Sequence, residues 1–274
     1  MAWHLNHTHD SQLGTIAWGK AGDGPPLVLA HGWPWSSYAW HRVIPILADH
    51  FTVYWYDMPG FGKSDKALDH PTGLDAQAVV FAEMLSLWQL DKPSVWAHDF
   101  GGAICLRAQL LHDARYDRTL LMNIVMMRPW GSDFFEHVRH HIEAFLGLPS
   151  HIHAAVVQAY IDGALIKPLD EKDRDALQAP WLDKEGQRAF YRQFAQADEA
   201  LTAEVENELN MLSRPVQVIW GADDPWIPLD RGMALAEAIG CEIHPIQGLG
   251  HLPQLEDPTA VLDTALPYLM AEAA

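Results

Sequence analysis

The chain has 274 residues, of which 49% are hydrophobic, so it can bury a large core as one large or two modest domains. Its 36 acidic residues against 18 Lys and Arg give a formal net charge of -18, which disfavours nucleic acid and anionic membrane surfaces as partners. With two cysteines, no signal-like N-terminus and no apolar run approaching ~20 residues, the sequence predicts a soluble cytoplasmic protein.

Short apolar runs rich in β-branched residues alternate with helical patterns through the first half of the chain. This alternation is typical of β-α-β units that build a parallel sheet. The predicted strands are residues 27–30, 51–56, 94–97 and 119–125. Apolar residues recur every three or four positions in the predicted helices 77–89 and 102–111. We therefore expect an α/β fold with a mostly parallel central sheet flanked by helices.

Strand patterns stop before residue 128 and return only after residue 213. The segment between them reads as successive amphipathic helices bounded by Pro129 and Pro215, and strands then resume at 216–220 and 241–244. The predicted domains are a core of residues 1–127 and 214–274 and an inserted helical cap of residues 128–213. Because ligands bind beyond the carboxyl ends of parallel strands, functional residues are expected just after strands, under this cap.

Asp99 occupies a sharp predicted turn from a strand into a helix. Its neighbours two positions away, Ala97 and Gly101, are small, as the close approach of strand and helix requires. This pattern predicts a nucleophile elbow that carries a carboxylate in place of serine. A carboxylate that attacks a saturated carbon leaves an ester that activated water can cleave, whereas serine would leave an inert ether. A helix N-cap is the alternative interpretation of Asp99.

Two later loops offer the partners that such a nucleophile needs. His251 lies in a glycine-rich loop after the last predicted strand, and we predict that it is the base. The acid is expected in the loop after the preceding strand, where Asp223 and Asp224 are neighbours. Two backbone amides usually hold the oxyanion of ester hydrolysis, and those of Trp33 and Phe100 are expected to do so.

With these motifs placed, the chain resembles the haloalkane dehalogenase and epoxide hydrolase group of the α/β-hydrolases over nearly its whole length. The stretches that carry the resemblance are the Asp99 elbow and residues 31–34, 36–38, 43–45, 56–65 and 121–123. The resemblance implies the α/β-hydrolase fold with a helical cap, an Asp-His-Asp triad in the chain order Asp99, Asp224, His251, and no cofactor. In this group the acid directly precedes a proline, which favours Asp224 and leaves Asp223 as a turn residue.

Asn123 also bears on the choice of acid, because one dehalogenase branch carries its acid at this strand end and another has Asn there and uses the later Asp. This chain resembles the second branch, which supports Asp224. A pairing of the Asn123 side chain with a loop backbone is an equally good interpretation.

The resemblance makes hydrolytic dehalogenation of a small alkyl halide the leading hypothesis. Enzymes of that family usually hold the leaving halide with indole N–H donors, one of them directly after the nucleophile. Phe100 has no side-chain donor, so Trp33, Trp130 and Trp181 are the candidates, although core packing is the commoner fate of tryptophan. A haloacetate dehalogenase is disfavoured because Phe100 and Ala103 stand where its arginines grip the substrate carboxylate.

An epoxide hydrolase with the same triad is the alternative hypothesis, with Tyr191 protonating the opening ring oxygen and Tyr160 as a second phenol. The residues expected to bind substrate are therefore Trp33, Phe100, Asn123, Trp130, Tyr160 and Tyr191. A third hypothesis is a lidded pocket that binds a small apolar ligand without chemistry. The expected partners are a small-molecule substrate and water, with a homodimer left open. No metal is expected, because the histidine-rich stretches lack a recognised ligand spacing.

Overall fold

A computed structural model describes residues 3–67, 69–212 and 215–271. Eight strands form one sheet: β1 His7–Ser11, β2 Gly14–Ala21, β3 Pro26–Ala30, β4 Thr52–Tyr56, β5 Ser94–His98, β6 Thr119–Met122, β7 Val216–Gly221 and β8 Ile243–Ile246. Their order across the sheet is β1-β2-β4-β3-β5-β6-β7-β8. Strands β3 to β8 pair in parallel, and only β1 and β2 run antiparallel to their neighbours. The predicted mostly parallel sheet is confirmed.

Helices cover both faces of this sheet. In chain order they are α1 Ile44–Leu47, α2 Leu74–Leu87, α3 Phe100–Leu111, α4 Asp133–His140, α5 Ile142–Leu146, α6 Ser150–Asp162, α7 Glu171–Gln178, α8 Lys184–Gln196, α9 Glu199–Glu206, α10 Leu229–Ile239, α11 Pro253–Glu256 and α12 Pro258–Leu269. Because successive strand residues point to opposite faces, each central strand contributes to two separate cores. In β3, for example, Val28 and Ala30 belong to one buried cluster, and Leu27 and Leu29 belong to the other.

The sequence pattern does not predict the hairpin of β1 and β2. Its first strand is mostly polar and half-exposed, so it lacks the apolar run that marks the central strands. Two strands also differ from the prediction at one end. Strand β6 stops at Met122 rather than at residue 125, since Asn123 turns the chain with a φ of 46°. Strand β8 begins two residues after the predicted start at residue 241.

Six α-helices, α4 to α9, lie between β6 and β7, in the segment for which the sequence predicts helices. The division of the chain into a core and a cap stays a prediction, and its second boundary, between residues 213 and 214, lies outside the described residues. In the ranges that the structure describes, every helix is too short or too polar to cross a membrane.

The sheet places two loops side by side at its carboxyl edge. Strand β3 pairs with β5 in a register that sets Ala30 opposite Ala97. The residues that follow these strands therefore emerge together, as expected where the strand order reverses between β3 and β5. This is how the His31–Gly32–Trp33 loop comes to lie beside Asp99.

Candidate active site

Asp99 stands at the tight turn between β5 and α3. Its φ of 53° and ψ of -127° lie in a region that residues with a side chain rarely adopt, and α3 begins at the next residue, Phe100. Glycine is needed around this turn, because a Cβ on Gly32 would collide with Asp99 Oδ1 and a Cβ on Gly101 would lie 2.5 Å from the His31 carbonyl oxygen. The turn thus presents the Asp99 carboxylate at the carboxyl edge of the sheet.

The structure brings Asp99, His251 and Asp224 into one hydrogen-bonded line. Nδ1 of His251 lies 2.8 Å from Asp224 Oδ2, and Nε2 lies 3.2 Å from Asp99 Oδ2. All three side chains are buried, with residue exposures of 3% for Asp99, 6% for Asp224 and 0% for His251. An imidazole held between two carboxylates in this way can move a proton at Nε2 while Nδ1 stays fixed.

Asp224 directly precedes Pro225, and four hydrogen-bond donors hold its carboxylate. Its Oδ1 accepts the backbone N–H groups of Trp226 at 2.8 Å and Ile227 at 2.9 Å. Its Oδ2 accepts Nδ2 of Asn123 at 2.7 Å as well as the His251 ring. Asp223 instead is exposed and accepts the backbone N–H of Gly248. The geometry therefore pairs His251 with Asp224 and leaves Asp223 in a turn.

Asn123 is not a substrate-binding residue in this structure, which corrects the prediction. Its side chain is fully buried behind Asp224, and its Oδ1 accepts the backbone N–H of Gly221 at 2.9 Å. Both ends of the amide are used, so Asn123 fixes the Asp224 carboxylate relative to β7. This is the loop-backbone pairing that the sequence left open.

We expect Asn123→Ala to lower the free energy of unfolding by about 1–3 kcal/mol, because it leaves the buried N–H of Gly221 without an acceptor. It should also lower turnover, since Asp224 loses the donor that orients it. Urea unfolding and initial rates would measure the two effects, with Asn210→Ala at an exposed position as the matched control. An unchanged unfolding midpoint would contradict the assigned role of this amide.

The neighbouring charges raise the pKa of His251 and lower that of Asp224. Burial alone would lower the pKa of His251, but the charge and hydrogen bond of Asp224, together with those of Asp99, raise it to about 10. Burial would raise the pKa of Asp224, yet the charge of His251 and the hydrogen bonds that Asp224 accepts lower it. While both carboxylates are ionised, His251 is therefore held as an imidazolium.

A backbone amide also points at the carboxylate of Asp99. The N–H of Trp33 donates to Asp99 Oδ1 at 2.6 Å, at the position predicted for an oxyanion donor. The Phe100 amide directly follows Asp99 as the first residue of α3. His31 shapes this loop, because its Nε2 accepts the backbone N–H of Met58 at 3.0 Å and its Nδ1 lies 3.0 Å from the Gly32 carbonyl oxygen.

A cavity of about 470 Å³ opens in front of Asp99. Its wall is mainly apolar, and besides Asp99 it includes two further charged residues. The aromatic and charged residues that line it are Trp33, Phe100, Trp130, Phe135, Tyr160, Trp226, Asp230 and Arg231. The cavity is the size of a small organic substrate, and its walls supply few polar groups. Four of the six residues predicted to bind substrate line it, namely Trp33, Phe100, Trp130 and Tyr160.

Tyr191 does not face this cavity, which corrects its prediction as the ring-opening acid. It is fully buried within the helical segment, and its hydroxyl lies 3.0 Å from His153 Nδ1. Tyr160 is the phenol that lines the cavity. Burial raises the pKa of Tyr160, and the charge of Asp99 raises it further, although the nearby Trp33 indole acts in the opposite direction. Tyr160 thus stays protonated near neutral pH.

The three candidate indole donors differ in what their N–H groups already bind. Trp130 donates to Thr202 Oγ1 at 2.9 Å, and Trp181 donates to the Pro34 carbonyl oxygen at 2.8 Å. Within the described part of the chain, the buried indole N–H of Trp33 has no hydrogen-bond partner of ordinary geometry, even though the Tyr160 hydroxyl lies near it. Of the three candidates, Trp33 is therefore the one whose N–H does not already donate to a protein oxygen with ordinary geometry in the part of the chain that the structure describes.

Two residues that contact His251, Trp226 and His98, are not predicted from the sequence. The Trp226 ring lies 5.0 Å from the His251 ring, stacks on Trp35 and lines the cavity. Its position two residues after Asp224 is the only signal that the sequence offers. His98 precedes Asp99, and its Nε2–H donates to the His251 carbonyl oxygen at 2.7 Å. Burial and the charge of His251 lower the pKa of His98 to about 4, so its ring is neutral.

Comparisons with known proteins agree with this architecture. A family model described as "alpha/beta hydrolase fold" matches residues 25–258. The solved structure of an alpha/beta hydrolase fold protein from Burkholderia ambifaria is 40% identical, with a TM-score of 0.92 over 97% of this chain and 99% of that one.

Relatives of both enzyme classes that the motifs resemble are also found. A soluble epoxide hydrolase from Corynebacterium sp. (strain C12) is 45% identical over 86 residues, which are 31% of this chain and only 29% of that protein. The solved structure of haloalkane dehalogenase DbeA from Bradyrhizobium elkani USDA94 has a TM-score of 0.79 at 19% identity, over 96% of each chain, and so shares the fold.

Proposed function

Since this chain belongs to the alpha/beta hydrolase fold family, we propose that it is a hydrolase that attacks an electrophilic saturated carbon with Asp99 and passes through a covalent ester. The favoured substrate is an epoxide, which water converts into a vicinal diol. One observation carries this choice: the Tyr160 phenol lines the same cavity as Asp99 and is kept protonated there. The helices α4 to α9 act as the cap that carries this phenol.

The first step forms the ester. Because the Trp33 amide holds Asp99 Oδ1, Oδ2 is the oxygen that attacks the ring carbon. The C–O bond of the ring breaks as the new ester bond forms, and the ring oxygen takes the proton of the Tyr160 hydroxyl. The products of this step are a hydroxyalkyl ester of Asp99 and a Tyr160 phenolate.

The second step cleaves the ester with water. His251 takes a proton from water at Nε2, and the resulting hydroxide attacks the carboxyl carbon of Asp99. The Trp33 and Phe100 amides hold the oxyanion that forms, while Asp224 stabilises the imidazolium.

Collapse of this oxyanion expels the alkoxide, which takes the water-derived proton from His251 and becomes the diol. The re-formed Asp99 carboxyl group, with one oxygen from water, then gives its remaining proton to His251. The Tyr160 phenolate has by then taken the Nε2 proton that the His251 imidazolium carried in the free enzyme.

Tyr160→Phe tests the choice of substrate. We expect it to lower turnover of an epoxide such as styrene oxide by about 10²–10⁴-fold, the usual contribution of a positioned general acid. Tyr191→Phe is the matched control, because that phenol is buried away from the cavity and its loss should leave the rate within a few-fold. Diol formation by both variants would be measured by chromatography. Equal rates in the two variants would remove Tyr160 as the acid.

A haloalkane dehalogenase is the second candidate, and the observation that favours it is the indole N–H of Trp33, which has no hydrogen-bond partner of ordinary geometry among the described residues. A halide leaves with its electron pair and needs no proton, so a phenol is dispensable and an N–H donor is not. The same variants separate the two functions. Two results together would replace the first proposal with this one. The Tyr160→Phe variant would still release bromide from a bromoalkane, and the unmodified enzyme would form no diol from the epoxide.

A further inference from the structure

The carboxylate of Glu256 gathers four backbone N–H groups from two different loops. Its Oε1 accepts those of Gly250 at 3.0 Å and Leu252 at 3.3 Å, which are the two neighbours of His251. Its Oε2 accepts those of Ile166 at 3.0 Å and Lys167 at 2.9 Å, in the loop between α6 and α7. One side chain therefore joins the loop that carries His251 to the helical segment above the cavity.

A direct backbone contact runs beside this carboxylate. The N–H of His251 itself donates to the carbonyl oxygen of Ala164 at 2.9 Å. The two loops pack so closely that a Cβ on Gly250 would lie 2.8 Å from Glu256 Oε1 and 2.9 Å from both the Ala164 oxygen and the Ile166 nitrogen. The position of the His251 backbone is thus set by contacts with residues 164–167 as well as by its own loop.

We propose that Glu256 is a positioning residue that keeps the His251 imidazole in register with Asp99, and that it does so by anchoring the His251 loop to the α6–α7 loop. This inference rests on the proposed function, because it concerns the step in which His251 acts as base. Glu256 lies outside the residues that line the cavity, so it acts through His251 and not on substrate. A charged acceptor suits this task, since hydrogen bonds to a carboxylate are stronger than those to a neutral group.

The geometry explains why other side chains cannot replace Glu256. Gln offers a single acceptor oxygen, and its amino group would face two of the N–H donors. Asp is one methylene shorter and cannot span the two donor pairs. In either variant at least one loop loses its anchor, and a shift of the imidazole of about 1 Å is enough to slow proton transfer from water markedly.

The two chemical steps give a readout that separates positioning from general stability. Attack by Asp99 removes no proton through His251, whereas cleavage of the ester requires His251 as base. We expect Glu256→Gln to slow ester cleavage about 10-fold or more and to leave ester formation within about 2-fold of the unmodified enzyme. Rapid-quench mass spectrometry of the Asp99 peptide would measure both rates. Glu242→Gln is the matched control, because Glu242 is exposed and its carboxylate, among the residues that the structure describes, pairs only with the His244 ring at 3.7 Å.

The two rates decide whether Glu256 positions His251. Accumulation of the ester in Glu256→Gln but not in Glu242→Gln supports the proposal. An equal slowing of both steps, or no slowing of ester cleavage, overturns it. If Glu256→Gln does not fold, Glu256→Asp decides by the same criterion, with at least a 3-fold slowing of ester cleavage alone expected, on the order set by small misplacements of a catalytic group. Absence of any ester on Asp99 in His251→Ala would instead refute the proposed function itself.

Discussion

Asp99→Asn is expected to lower turnover by about 10⁴-fold or more, because removal of the nucleophile removes the whole covalent route. Asn is nearly the same size and can still accept the Trp33 N–H at its oxygen, so the turn and the fold should survive. Rates with an epoxide and with a bromoalkane would be measured, and mass spectrometry would exclude deamidation of the introduced amide back into a carboxylate.

The control for this change is Asp223→Asn. Asp223 is close in sequence to the acid, but it is exposed, and its carboxylate accepts the backbone N–H of Gly248 in a surface turn. Its loss should leave the rate within a few-fold. Full activity of the variant at position 99 would mean that water attacks the substrate directly, with the carboxylate as a bystander.

Isotope labelling would show the same route in the unmodified enzyme. Water attacks the carboxyl carbon of Asp99 and not the substrate, so a single turnover in ¹⁸O water should place the label in Asp99. The diol receives that label only in the second turnover. A label that appears in the product of the first turnover would contradict the ester mechanism, and a protein that forms no product at all would fit the ligand-binding hypothesis.

Position after strands was enough to predict that Asp99, His251 and one of the pair Asp223 and Asp224 are neighbours, and the family resemblance favoured Asp224. Parallel strands deliver their carboxyl ends to one edge of the sheet, so three loops far apart in the chain must meet there. The adjacent pairs β3–β5 and β7–β8 bear this out in register. The positions of these loops therefore follow from the order of the strands and depend little on side-chain packing.

The residues above the sheet could not be predicted in this way. Tyr160 and Tyr191 both lie on amphipathic helices, and which of them faces the cavity depends on how α6 and α8 are rotated against the core. A rotation of a fraction of a helical turn exchanges a cavity position for a buried one. Asn123 was similarly ambiguous, because a strand-end amide can bind a ligand or a neighbouring loop, and only the position of Gly221 decides.

His251→Ala is expected to trap the ester. The second step needs a base, and its removal should slow ester cleavage by about 10²–10⁴-fold while Asp99 still attacks the substrate. The enzyme would then complete about one equivalent of reaction and stop, with the substrate bound to the Asp99 peptide. His151→Ala, at an exposed position on α6, is the control and should turn over normally.

The charges around His251 explain why it becomes a base only after the first step. Asp224 and Asp99 together raise the pKa of His251 to about 10, so the free enzyme holds an imidazolium near neutral pH. Ester formation neutralises Asp99 and removes one of the two carboxylates that support this charge, while burial continues to oppose it. The pKa of His251 must therefore fall in the intermediate, and its proton passes to the Tyr160 phenolate formed in the first step before water is activated.

The raised pKa of His251 also makes the stability of the fold depend on pH, and His251→Ala tests this dependence. A histidine whose pKa is raised by folding adds stability that is fully present below its unfolded pKa of about 6.5 and is lost as pH rises through about 10. Unfolding midpoints of the unmodified protein should therefore fall between these two pH values, and those of His251→Ala should fall less. Parallel pH profiles for the two proteins would mean that His251 is neutral in the free enzyme and can act as base without prior ester formation.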